Sequence, residues 1–224
     1  MKYGILSGVV VTGVRLFATV LYWGYTVILE SDAGNHSRHM ADAMRFAFSL
    51  FVLREAMFFF GIFWAFFDSA LSPTLEIGGV WPPVGIVPIN PFGIPLFNTV
   101  VLLRRGVTLT WSHYSLLRKE DAKPGLVLTV LLAFLFEGAQ YVEYREATFR
   151  IRDGIFGRCF YFGTGFHGLH VIFGHIFLLF NLYRVHQCHF TRRRHISFEC
   201  AVVYWHFVDV VWLFLYVSFY WWTY

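Results

Sequence analysis

The sequence predicts an all-α polytopic membrane bundle of about six helices, and three observations predict it. Of its 224 residues, 57% are hydrophobic and 21% aromatic, whereas only 14% are charged. A water-soluble core of this size has no use for so much apolar surface. Several apolar runs reach the roughly 20 residues that cross a bilayer as a helix, and polar or proline-rich links separate them. Backbone groups in lipid must be paired internally, which makes helices the economical solution. A single membrane domain over residues 1–224 is expected, because neither an internal repeat nor a linker divides the chain.

The first span is read at about 5–29. Its apolar run is not followed by a small-residue cleavage site, and it is not the Arg- and Ser-rich type of transit peptide, so it is expected to stay in the mature chain. A polar link, SDAGNHSRHMADAM, leads to the second span at about 44–68. Residues 69–93 then hold Pro73, Pro82, Pro83, Pro88 and Pro91. Proline removes a helical donor and clashes with the preceding turn, so this segment is an ordered surface loop rather than more helix. The third span, about 94–117, ends in a tight charged turn from Arg118 to Pro124, and the fourth follows at about 125–146. Spans at about 155–184 and 198–223 complete the set.

Loop charges set the orientation. Arg38, Arg45, Arg118, Lys119, Lys123, Arg184, Arg192, Arg193 and Arg194 fall on one side, while the opposite loops carry none in 69–93 and four in 145–158. The positive-inside rule places the first set on the inner side of the membrane, the cytoplasm of a bacterium or its organellar equivalent, with both termini on the other side. The net charge of +4 is spread over the loops with no basic tail, so no nucleic-acid partner is indicated. Cys159, Cys188 and Cys200 are odd in number and lack C-x-x-C spacing, which points to neither disulfides nor a thiolate metal site.

Polar residues inside apolar spans are the functional candidates, because they are expensive there. Glu55 sits in the second span, where helical spacing surrounds it with Phe51, Val52, Phe58 and Phe59. Burial of that kind disfavours a charged carboxylate. Arg54 beside it points elsewhere and has no partner evident in the sequence. His167 and His170 stand i, i+3 in the fifth span, and His206 and Asp209 do so in the sixth. Histidine pairs of this sort are compatible with a histidine-box oxygenase or a b-type haem. Their spacing repeats nowhere else in the chain, so interhelical hydrogen bonding is the expected role and no metal site or catalytic residue is assigned. A transporter would show broken helices and an inverted repeat, which are not visible.

Long stretches also carry a family resemblance. REAMFFFGIFWAFFDSAL followed by PTLEIGGVWPPVGIVPINP resembles the third helix and following loop of subunit III of cytochrome c oxidase. GTGFHGLHVIFG and YWHFVDVVWLFLYVSFYWW resemble that family's last two helices, and the resemblance runs from about Trp23 to Trp222. It implies a non-catalytic core subunit of the mitochondrial inner membrane that supports electron transfer from cytochrome c to oxygen with proton pumping. Subunit I would be its main contact, with subunit II and accessory subunits nearby, and haem a and copper would reside in those partners. Phospholipids such as cardiolipin would be bound, and Trp23, Glu30, His36, Arg184 and His189 match positions that line a lipid-filled cleft. Glu55 matches the family's buried, carbodiimide-reactive carboxyl. The family's first helix has no counterpart here, because Trp23 and Glu30-Ser31 match the end of its second. Arg104, Arg105 and Glu137 depart from the family pattern, and an ion pair between one of the arginines and Glu137 is expected across the third and fourth spans.

Overall fold

The computed structural model describes residues 2–35, 37–191 and 194–224, so His36, Arg192 and Arg193 lie outside the described residues. Six α-helices follow one another: α1 (Lys2–Asp32), α2 (Arg38–Leu71), α3 (Ile94–Arg118), α4 (Lys123–Glu146), α5 (Gly154–His186) and α6 (Ile196–Leu215), the last continued by a π turn at Tyr216–Trp221. The only strand-like feature among the described residues is an isolated bridge between Thr191 and Arg194. Several helices overrun the apolar stretches that predict them, because a helix keeps its backbone paired beyond the hydrocarbon as well as within it.

Among the described residues, five segments are long and apolar enough to cross a membrane: Gly8–Ser31, Arg38–Leu71, Lys123–Glu146, Gly154–His186 and Ile196–Trp221. The expected sixth, α3, has the length but not the composition. Asn98, Thr99, Arg104, Arg105, Thr108, Thr110, Ser112 and Ser115 lower its hydropathy.

The chain divides into two compact units, Met1–Phe46 and Ala47–Tyr224. In the first, α1 exposes almost every described position. Its threonines are satisfied within the helix, since Thr12, Thr19 and Thr26 donate to the carbonyls of Gly8, Arg15 and Trp23 at 2.8–2.9 Å.

In the second unit, α3, α4, α5 and α6 enclose the core. Partner positions run in opposite directions along each pair. Thr108 meets Thr129 and Ser112 meets the Ala122 carbonyl, so α3 and α4 are antiparallel. His167 meets Val208 and Asn181 meets Ser197, which makes α5 and α6 antiparallel as well. Glycine brings the backbones close at two of these seams. A Cβ on Gly125 would stand 2.9 Å from the Thr108 carbonyl, and one on Gly174 would stand 2.9 Å from the Trp205 ring. The proline-rich loop is pinned to the bundle. Trp81 packs edge-on against Phe66 at 5.5 Å, and the Val87 and Pro91 carbonyls accept from Thr148 and Tyr216.

From Ala47 onward α2 reaches the bundle chiefly through phenylalanines. Phe58 meets Phe166 at 5.0 Å, Phe59 meets Phe207 at 6.2 Å, and Phe66 stacks on Phe219 at 4.0 Å. Rings of that size hold the helix off its neighbours and leave a groove on each flank.

Candidate functional site

One groove, about 530 Å³, lies between α2, α5 and α6, walled by Phe48, Phe51, Phe166, Phe173, Phe177 and Leu169. Its polar groups are Glu55, His170 and Tyr204. Glu55 Oε2 lies 3.1 Å from His170 Nε2, while His170 Nδ1 lies 2.7 Å from the Phe166 carbonyl one turn back. The helix thus fixes the imidazole: Nδ1–H donates to Phe166 and leaves Nε2 as acceptor when neutral, or a second donor when protonated. Phe59 closes on the ring edge-on at 5.0 Å.

Two expectations about Glu55 are corrected. Its setting is not a purely apolar cage, because His170 enters from α5. Nor is Arg54 without a partner: its Nε and Nη2 donate to Glu55 Oε1 at 3.1 and 2.7 Å while its guanidinium lies over Phe51 at 5.0 Å. Adjacent helical residues point about 100° apart, but the long arginine stem wraps back across that gap. The Glu55 side chain is 15% exposed and that of Arg54 70%. The carboxyl therefore has hydrogen-bond partners on both oxygens, and burial alone no longer argues for a neutral acid.

The expected ion pair between α3 and Glu137 is also corrected. Arg105, wholly buried, turns to α6 instead and meets Asp209 Oδ1 through Nε at 3.1 Å and Nη2 at 2.9 Å. Its guanidinium is sandwiched between the Phe136 and Trp205 rings, 4.4 and 4.7 Å away. Glu137 pairs with His175 Nδ1 on α5 at 2.9 Å. His206 lies 3.8 Å from Asp209 Oδ2, so the carboxylate's main partner is the arginine of another helix. His167 places Nε2 3.3 Å from the Val208 carbonyl.

Among the expected lipid ligands, Arg184 is buried near the end of α5 with its guanidinium 4.6 Å over Phe190, and its carbonyl accepts from the His189 amide at 3.1 Å. Trp23 and Glu30 are exposed on α1, in the other unit. Just before α6, His195 bridges the Thr191 carbonyl and Glu199, whereas His186 at the end of α5 and His189 in the following loop are exposed. Among the described residues no three of His, Cys, Asp and Glu converge on a point where an ion could sit.

A polar cluster escaped the sequence reading. Glu143, 2% exposed, accepts from Tyr220 at 2.6 Å and Gln140 at 3.1 Å, and Gln140 accepts in turn from Asn98 at 3.4 Å. Tyr144 donates to Thr164 at 2.7 Å, tying the same end of α4 to α5. Gln140, Glu143 and Tyr144 at i, i+3 and i+4 were the available signal, since they mark one polar face in an otherwise apolar span.

Comparison with known proteins accounts for nearly the whole chain. The sequence model for cytochrome c oxidase subunit III matches residues 2–224. The cytochrome c oxidase subunit 3 of Pyricularia grisea is 53% identical over 212 residues, covering 93% of this chain and 79% of the relative. That of Squalus acanthias is 51% identical over 210 residues, with 92% and 80% covered. That of Tetraodon nigroviridis is 50% identical over 212 residues, with 93% and 81% covered.

Proposed function

The chain belongs to the cytochrome c oxidase subunit III family, and from that premise we propose that it sustains oxidase turnover by holding phospholipid against the complex. Membership makes it a non-catalytic subunit of respiratory complex IV, within an oxidoreductase assembly. It sits in the mitochondrial inner membrane as one multi-pass domain, packed mainly on subunit I with subunit II and accessory chains nearby. Haem a and copper belong to those partners. This chain contributes position, lipid and support for proton uptake.

The observation that carries the reading is the groove beside Glu55. Its walls are phenylalanine and leucine, and its polar groups gather around Glu55 and His170. An acyl chain suits such walls, because close packing against the rings gives it dispersion contacts. Headgroup phosphate suits the end of α5 beyond the groove, where Arg184 and His189 lie together and arginine offers a fork to phosphate. Trp23, Glu30 and His36 are assigned to phospholipid by family position alone. α3 crosses the bilayer too, its polar residues turned largely to the core.

Purification of the chain from its native membrane in mild detergent tests the reading. Haem a absorbance travelling with it in a copper-containing complex is the expected result, and a lone chain carrying iron without haem a overturns it. Arg184→Ala with an unchanged content of co-purified phospholipid removes the lipid assignment alone.

A further inference from the structure

Arg104 and Arg105 are neighbours on α3 with opposite fates. Arg105 is sealed in the core against Asp209. Arg104, about 100° around the helix, is exposed on its outer face. Among the described residues it makes no ion pair and no hydrogen bond. Ten residues separate it from Ile94 and fourteen from Arg118. At 1.5 Å per residue that is about 15 Å from one end and about 21 Å from the other, so Arg104 sits near the middle of a hydrocarbon layer about 30 Å thick. A charge at that depth costs about 2.5–3.5 kcal/mol on insertion scales and requires a counter-charge.

Among the described residues none supplies one. Glu55, Glu137, Glu143 and Asp209 are each engaged elsewhere. The apolar stretch of α1, residues 8–29, contains no Asp or Glu, its single charge being Arg15. Lipid phosphates lie at headgroup level, about half a bilayer away. A second copy packed through the same face would set Arg104 against Arg104, because a two-fold interface is self-complementary.

We propose that the outer face of α3 docks a transmembrane helix of a partner subunit, and that an aspartate or glutamate of that helix pairs with Arg104 at mid-membrane depth. The face has the form such a contact needs. Val100, Leu103, Val107, Trp111 and Tyr114 are all exposed at steps of three and four, which makes one continuous stripe beside the guanidinium. The proposal rests on the reading of this chain as one subunit of a larger membrane complex.

Two experiments on the intact oxidase test it. In the Arg104→Lys variant, dicyclohexylcarbodiimide converts the partner carboxyl to an O-acylisourea. The ε-amine then attacks the acyl carbon, the dialkylurea leaves, and an amide joins the two chains. The expected product is a two-chain adduct in which position 104 is linked to an Asp or Glu of a membrane helix, absent from the unsubstituted protein. A haem a-containing complex with no interchain adduct at position 104, or with a link back into this chain, overturns the proposal. The Arg104→Leu variant reads the sign. Against a partner carboxylate, the fraction of this chain retained with haem a after detergent washing falls several-fold. Against lipid, removing the charge leaves retention equal or higher, which overturns the proposal. A preparation in which the unsubstituted chain travels without haem a overturns the subunit reading itself.

Discussion

Arg105 and Arg54 each approach a carboxylate oxygen at about 3 Å, but the first lies in a closed core and the second, 70% exposed, lies at the lip of a groove. Arg105 clamps α3 to α6 between two aromatic rings, whereas Arg54 and Glu55 are neighbours on one helix and recruit His170 from another. Taking two charges out of polar surroundings costs more than a flexible surface pair does, and breaking such a pair leaves a naked charge behind. A pair at a lip can still rearrange. The buried pair therefore fixes which helices meet, and the lip pair is available to a ligand or a reagent.

The largest effect expected from this contrast is at Arg105. Arg105→Leu strands Asp209 and should destabilise the subunit by about 3–5 kcal/mol, read as early thermal loss from the oxidase. Arg105→Leu combined with Asp209→Leu should recover most of that loss, and a single variant as stable as the double erases the distinction. Gly174→Ala comes next: its methyl would meet Trp205 in the core, at about 1–3 kcal/mol by the usual cost of overpacking. Gly168→Ala, with open space around it, serves as the neutral control in the same melt. At the lip, His170→Phe should cost only about 0.6 kcal/mol, the mean for a hydrogen bond between membrane helices. An effect there as large as at Arg105 would make the groove a structural joint. Glu55→Gln should leave stability nearly unchanged while abolishing carbodiimide labelling. Label on Asp209 or Glu143 in the intact complex would show that the core is open after all.

The helices were legible because apolar runs of membrane length have few alternatives, and Glu55, His167, His170, His206 and Asp209 stood out as polar breaks in those runs. Their partners were not legible. Arg105 chooses Asp209, 104 positions away, over Glu137 on the next helix. That choice depends on how far α3 is rotated about its axis, which neighbouring helices decide jointly. Glu143 was overlooked because it lies within a turn of the end of α4, where a carboxylate reads as interfacial; Tyr220 reaches it only through the fold. Arg54 illustrates a different gap. Helical facing describes Cβ directions, and a long side chain can reach outside them.

The π turn at Tyr216–Trp221, marked by the Trp222 amide bonding to the Val217 carbonyl five residues back, acts as a phase shift written into the end of the chain. It accommodates one residue more than an α-helix of the same rise would hold, and with that residue in place Tyr220 faces Glu143 and Phe219 stacks on Phe66. Removing one residue between 216 and 219 would restore α-helical winding and leave everything after it in place, whereas removing one from the regular part of α6 would rotate the tail by about 100°. A single deletion should thus be absorbed inside the turn and nowhere else in α6, so the turn marks the one place where the length of the tail is adjustable.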